Sequence, residues 1–337
     1  MDTMMKTFLA GRRSLLVGLV ATVAGASVAL SGLVHAQAKD CPRPPEMDVR
    51  FCDRDGDLIA DVPEDPNEWI NPDTLIFAYT PVEDPSVYKN VWAEFLDHLA
   101  EVTGKKVEYF PVQSNAAQLE AMRAGRLHVT GFNTGSVPLA VNAVGFRPFA
   151  MMASLDGSFG YEMEIIVPAD SDIQSIEDLR GRQLAFTSET SNSGFKAPSA
   201  LLKAEFGMKP GVDYQTVFSG NHENSILGVF NGDYEAAAIA NSVMTRMAKR
   251  GTIDPSKIRT IYKSQTFPTT AYGVVYNLHP EVAEKVKEAF FTFKWEGTKL
   301  AEEFGKSGEE QFIPITYKEY WEVIRTIDKA SGVEYKL

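Results

Sequence analysis

The sequence predicts an α/β protein of two lobes, each a mixed, mostly parallel sheet flanked by helices, that close on one another as a clamshell. Three observations carry this. The chain has 337 residues, too many for one simple core and about right for two lobes of ordinary size. Short apolar runs alternate with stretches of helical periodicity over residues 73–132, and the alternation recurs after residue 160. Two more apolar runs, Tyr161–Val167 and Tyr272–Tyr276, stand where the chain would cross between lobes and return.

The elements follow in order. Residues 1–38 read as a signal peptide: Lys6, Arg12 and Arg13 precede an apolar run from Leu15 to Val34, and small residues frame cleavage after Ala36 or Ala38. A retained anchor is the alternative, since the run approaches spanning length. Residues 39–72 are rich in proline and acid and read as an irregular extension. In an oxidising compartment Cys41 and Cys52 are expected to pair and clip it.

From Thr74 the strands and helices begin. Thr74–Tyr79 reads as a buried strand, and Asp84-Pro85 opens a helix that runs to Gly104. Lys106–Phe110 is a strand, 115–125 a helix, and His128–Phe132 a strand. After the crossing run at Tyr161, strands are predicted at Gln183–Thr187, Tyr214–Phe218, Glu235–Ile239 and Ile258–Lys263. Helices fall at Gly194–Phe206, at Asn224–Val229 and on to Arg250. Tyr272–Tyr276 returns, and helices at 280–293, 295–305 and 317–330 follow. Lobe 1 is thus 73–160 with 272–337, and lobe 2 is 161–271. A ligand in such a fold lies at the carboxyl ends of strands and the amino ends of helices.

Charge narrows the function. The net charge is −12, and cleavage after Ala36 removes three basic side chains and one acidic, leaving about −14. That argues against nucleic acid as a partner. An anionic ligand would have to be held by local donors. A monomer is the expectation.

The most informative stretch runs from Phe186 to Pro198. A strand ends at Phe186, hydroxyl and amide side chains cluster from Thr187 to Ser193, and a helix opens at Gly194. Free amides at a helix start, with hydroxyls beside them, form an anion site that needs no formal positive charge. The plainer reading is N-capping, which one such residue satisfies. Thr190, Ser191, Asn192 and Ser193 exceed that need. Taken alone, His222 near a helix start reads equally as a cap, and Tyr161 as a core aromatic.

Ser191-Asn192-Ser193-Gly194-Phe195 with Pro198 resembles the S-T-S-G-[FY]-x-x-P motif of the phosphate-, phosphite- and phosphonate-binding proteins of ABC transporters. Gly220-Asn221-His222-Glu223 is similar to that family's G-x-H-[ED] element, and Asp156–Tyr161 to its D-G-x-x-G-Y segment. The resemblance spans about residues 74 to 315. It implies the type II periplasmic-binding-protein fold, periplasmic residence, a transporter permease as partner, and no catalysis or required cofactor. It also implies that Ser191, Asn192, Ser193, His222 and Tyr161 bind a small phosphorus oxyanion. Asn115, at a position that is Tyr in an aminoalkylphosphonate binder, joins them, as does Thr134 in the loop after the third strand.

Departures from the pattern narrow the ligand. The carboxylates that would hold a ligand ammonium align with Ser242, beside Asn241, and with Thr270, and Ala240 replaces a frequent Asp. A compact ligand such as phosphite, methylphosphonate or phosphate is therefore expected over an aminoalkylphosphonate. Asn241 and Thr270 are kept as candidate contacts.

Asp53, Asp55, Asp57 and Asp61 form a separate run around Gly56 that resembles the D-x-D-G-D-x-x-x-D calcium loops of thrombospondin type-3-like repeats. It reads either as a loop for a structural Ca2+ or as a solvated acidic turn. Hydrolytic chemistry finds little support, because there is no G-x-S-x-G elbow and no H-E-x-x-H pair among the five histidines. The remaining alternatives are a protein that reports ligand to a membrane sensor, and a binder of another small anion.

Overall fold

The computed structural model describes residues 40–337; the expected signal peptide lies outside them. Two mixed sheets organise the chain. The first contains β1 (Thr74–Tyr79), β2 (Lys106–Tyr109), β3 (Val129–Phe132), β4 (Phe146–Ala153), β10 (Ala271–Val275) and β11 (Gln311–Pro314), in the order β11-β4-β10-β3-β1-β2. The second contains β5 (Tyr161–Pro168), β6 (Gln183–Phe186), β7 (Gln215–Phe218), β8 (Ala236–Ala240) and β9 (Ile258–Phe267), in the order β7-β6-β8-β5-β9. The molecule is the two-lobed α/β clamshell the alternation predicts.

Parallel pairing belongs to the β-α-β half of each sheet. β1 pairs parallel with β2 and β3, and β6 pairs parallel with β7 and β8. The crossing strands run the other way: β10 lies antiparallel between β3 and β4, and β5 lies antiparallel between β8 and β9. Strands arriving from the opposite lobe enter from the far end, which reverses their direction. The chain changes sheet twice, over 154–160 and over 268–270.

Helices α1 (Pro85–Val91), α2 (Ala93–Thr103), α3 (Asn115–Arg123), α4 (Val137–Val144), α8 (Pro280–Thr292), α9 (Lys299–Phe304), α10 (Tyr317–Tyr320) and α11 (Glu322–Ser331) accompany the first sheet in sequence. α5 (Ala197–Glu205), α6 (His222–Asn231) and α7 (Asn241–Lys249) accompany the second. The single helix predicted from Asp84 to Gly104 is two, parted at the fully buried Trp92. Trp92 packs at 4.8 Å on Phe77 and 5.4 Å on Tyr79, and Tyr79 packs at 4.6 Å on Tyr88. This aromatic cluster fixes Tyr79 where β1 ends at the cleft.

Three elements have no counterpart in the sequence reading: α4, β4 and β11. Residues 137–153 form one apolar run, buried along nearly its whole length. With little polar residue to mark a face, neither period shows. Gly145, at φ 71°, parts the helix from the strand.

The extension is clipped by the Cys41–Cys52 disulfide and lies against lobe 1. Asp48 N–H donates to Asn142 O at 2.8 Å, Arg50 Nη2 donates to Ala143 O at 2.8 Å, and Phe51 meets Tyr276 at 4.7 Å. Ile70 and Leu278 form an isolated bridge.

Candidate functional site

A small cavity lies between the sheets, about 50 Å³ in volume. Tyr79, Val82, Asn133, Thr134 and Glu309 line it from lobe 1, with Thr269 and Thr270 on the crossing. Tyr161, Ser191, Asn192, Ser193, His222, Ala240, Ser242, Val243 and Arg246 line it from lobe 2.

The serine-rich stretch builds the floor. Ser191 caps the helix that follows: its Oγ accepts from Gly194 N–H at 3.1 Å. The first turn, Asn192–Lys196, is a π turn, with Lys196 N–H donating to Ser191 O at 3.0 Å, and α5 continues from it. Glycine is required at 194, because a Cβ there would overlap the Thr187 side chain. Asn192 Nδ2 donates to Tyr161 Oη at 3.2 Å. Ser193 Oγ has no hydrogen-bond partner among the described residues, although the residue is 1% exposed. Wide turns at a helix start leave amide donors free for a ligand.

His222 opens α6 and is buried. Its Nδ1 accepts from Ala240 N–H at 3.1 Å, which leaves Nε2 as the protonated nitrogen of the neutral ring. Nε2 lies 3.5 Å from Ser191 Oγ, at the cavity. Burial, reinforced by the Arg246 guanidinium, lowers the His222 pKa to about 4. The ring is thus a neutral, single-proton donor at neutral pH.

Other predicted residues are placed differently. Thr134 lines the cavity, but its Oγ1 donates to Pro268 O at 2.8 Å. Thr270 and Ser242 are in the lining. Asn115 is outside it: Nδ2 donates across the cleft to Ser188 Oγ at 3.1 Å and Thr190 Oγ1 at 3.0 Å, the outer side of the serine-rich loop. Asn241 is outside it too, its amide engaged with Glu162 N–H at 3.0 Å and Glu162 Oε2 at 3.1 Å. The compact cavity stops short of both amides.

Two charged groups were missed. Arg246 stands one helical turn beyond Ser242 on α7, an i, i+4 spacing that gave a usable signal. Glu309 comes from the loop before β11, and nothing local marks it. Arg246 Nη2 donates to Glu83 Oε1 at 3.2 Å, and Glu83 is fully buried in the β1–α1 loop. Arg250 also binds Glu83 and Glu303. Burial raises the Glu309 carboxyl, against the pull of Arg246. The cavity's surroundings therefore include a guanidinium, but one already surrounded by carboxylates.

The lobes meet closely around the cavity. His222 N–H donates to Val82 O at 3.1 Å, and Asp84 N–H to Glu223 Oε2 at 2.8 Å. Lys196 Nζ, 6% exposed, lies 2.8 Å from Asp328 Oδ1 on α11 and donates to Gly135 O at 2.8 Å. The cavity is that of a shut clamshell.

The acidic run in the extension is only partly gathered. Asp53, Asp55 and Asp57 each offer an oxygen within 4.8 Å of the others. Asp61 is held elsewhere, its Oδ2 2.9 Å from Arg54 Nη1. Burial raises the Asp57 pKa to about 6.

The family model described as "ABC transporter, phosphonate, periplasmic substrate-binding protein" matches residues 77–320. A "Phosphate-import protein PhnD" of Mycolicibacterium smegmatis is 29% identical over 229 residues, 65% of this chain and 71% of that one. A "Phosphonates-binding periplasmic protein" of Escherichia coli is 24% identical over 243 residues, 71% of this chain and 68% of that one. In structure, a binding protein component of an ABC phosphonate transporter from Pseudomonas aeruginosa aligns with TM-score 0.69 at 21% identity, covering 76% of this chain and 85% of its own. PhnD1 of Prochlorococcus marinus, in complex with methylphosphonate, aligns with TM-score 0.67 at 18% identity, covering 78% and 99%. No helix among the described residues is long and apolar enough to cross a membrane.

Proposed function

Because the chain belongs to the phosphonate-type periplasmic substrate-binding proteins of ABC transporters, a non-enzymatic transport family, we propose that its cleft captures a compact phosphorus oxyanion: phosphite, methylphosphonate or phosphate. The observation that carries this reading is the pairing of two donors at one cavity. Ser193 Oγ has no protein partner there, and the His222 tautomer leaves its Nε2–H as the donor. Both suit a stable anion, and the neutral ring adds no charge that titrates at physiological pH.

Size supports a compact ligand. A cavity of about 50 Å³ is a few times the ~10–15 Å³ one water needs, room for roughly three to five heavy atoms. Phosphate and methylphosphonate have five. The names of two relatives, a phosphate-import protein and a structure holding methylphosphonate, agree with that scale. A bound ligand would draw the lobes together, and a permease would read the closed pair.

Calorimetric titration of residues 39–337 with phosphite, methylphosphonate, phosphate and 2-aminoethylphosphonate tests the proposal. Tight binding of one compact oxyanion is expected. Ser193→Ala and His222→Ala should each weaken it about 10- to 100-fold, the scale of a hydrogen bond to a charged group. Binding unaffected by either variant, or no binding by any of the four, overturns the reading.

A further inference from the structure

Lys196 ends the turn that faces the cavity. Its own N–H donates to Ser191 O at 3.0 Å, across the π turn Asn192–Lys196. Its side chain leaves the cavity, which neither Lys196 nor Asp328 lines, and passes into lobe 1. There Nζ donates to Gly135 O at 2.8 Å and lies 2.8 Å from Asp328 Oδ1. Asp328 is fully buried on α11, and its Oδ2 accepts from Tyr335 Oη at 3.1 Å. α10 and α11 follow β11 of the first sheet and are fastened to the loop after β3, where the buried Trp321 donates its Nε1–H to Thr134 O at 2.9 Å. Both acceptors around the ammonium therefore belong to lobe 1, while the ammonium belongs to lobe 2. Asp328 and Tyr335 lie beyond residue 320, where the family match ends.

A buried ammonium is costly unless its partners are in place. In the shut clamshell Lys196 has a carbonyl and a carboxylate; when the lobes part, water takes over both charges. The pair thus acts on the closed form and on its opening, not on the first encounter with a ligand. Gly135 adds to the docking. A Cβ on it would overlap Thr190 O and Asn192 N, so the serine-rich turn sits directly against the residue whose carbonyl Lys196 holds. We infer that Lys196 and Asp328 form a latch outside the cavity. Lys196 is a positioning residue that docks the serine-rich turn on lobe 1, and undoing its two contacts limits the release of a captured ligand. The latch acts on closure whatever fills the cavity; only the choice of probe rests on the oxyanion reading above.

The test is stopped-flow binding of phosphate and methylphosphonate to wild type, Lys196→Met, Asp328→Asn and the double variant. Each single variant should speed dissociation about 10- to 100-fold and leave association within about 3-fold, because capture precedes latching. The double variant should release ligand no faster than the faster single variant, as expected of two groups acting as one pair. A merely structural role would lower the thermal midpoint and slow association instead. Unchanged dissociation in Lys196→Met overturns the inference, as do single effects that multiply in the double variant. Spin labels at Asp97→Cys and Lys203→Cys, exposed on α2 of lobe 1 and α5 of lobe 2, report closure directly, since the native cysteines are paired. Lys196→Met should shift their distances toward the open form; a distribution unchanged with and without phosphate overturns the latch. If neither oxyanion binds, the reading of function falls, and the spin-label distances of the ligand-free protein still decide the latch.

Discussion

The backbone amide of Ala240 holds Nδ1 of His222 at 3.1 Å, and this one bond decides which face of the ring can donate to a ligand. The residue at 240 does its work through its main chain, so the Asp-to-Ala departure noted in the sequence leaves the tautomer untouched. The same contact predicts a pH dependence. The folded pKa of His222 is lowered from 6.5 to about 4 by burial, so between those values the unfolded chain binds a proton that the native ring refuses. Stability from this group is complete above pH 6.5 and is lost as pH falls toward 4, by roughly 3 kcal/mol in total. Urea unfolding of wild type and His222→Gln at pH 7 and pH 4.5 measures it. Wild type should lose more stability than the variant; parallel losses would show that the ring is not the group responsible. The comparison matters because burial raises Asp57 and Glu309, which act with the opposite sign.

Gly135 in lobe 1 faces the serine-rich loop of lobe 2, and a Cβ on it would overlap Thr190 O and Asn192 N. Its φ lies outside the left-handed region, so alanine fits the local backbone of the open protein. Gly135→Ala should leave the thermal midpoint of the ligand-free protein within a few degrees of wild type and reduce ligand affinity at least about 10-fold, by obstructing closure. Unchanged affinity would mean that the lobes close without this contact.

Glu83 is fully buried on lobe 1 and receives Arg246 and Arg250 from lobe 2, along with Tyr88 Oη. Removing its charge takes from both guanidinium groups their shared buried carboxylate and leaves them Glu303 and Glu309, a loss of up to about 3–5 kcal/mol when a buried pair is broken. Much of this falls on the closed form, where the partners meet. Glu83→Gln should weaken ligand binding by more than about 10-fold, and solution scattering with saturating ligand should show a larger radius of gyration. A variant as compact as wild type would assign the cluster to fold stability alone.

The Cys41–Cys52 disulfide spans 11 positions, and loss of such a cross-link costs about 2–3 kcal/mol. The double variant Cys41→Ser, Cys52→Ser should unfold at lower urea by that amount. Its ligand affinity should match wild type, since no residue of the extension lines the cavity. A loss of affinity would reveal coupling between extension and cleft.

Much of the fold was legible because the β-α-β halves carry their own punctuation. Strands such as Thr74–Tyr79 and Gln183–Phe186 are short apolar runs between turn residues, and they form where that pattern put them. The uninterrupted apolar stretch over 137–153 hid a helix and a strand, because burial on all sides erases periodicity. Around the cavity, the Ser191–Gly194 stretch and His222 were legible because they open helices, where a cap and a ligand donor leave the same trace. Asn115 and Asn241 carry amides whose partners the sequence does not mark, and the fold sets them on Ser188 and Thr190 and on Glu162. Glu309 reaches Arg246 across 63 positions of sequence, a pairing that only the folded chain creates.

The place of β10 bears on how the protein comes to be made. It lies between β3 and β4, so the first sheet lacks a central strand until residue 271 has been synthesised, about 120 residues after β4 is complete. At ~5–20 residues per second, β3 and β4 wait roughly 6 to 24 s with unpaired inner edges. Every strand of the second sheet is contained in residues 161–267, which appear during that interval. The lobe made second is therefore the first that can finish, and the earlier lobe is the one a holding chaperone would find open. Hydrogen exchange on ribosome-stalled chains with residues 40–267 emerged should protect β6 and β8 but leave β3 and β4 open.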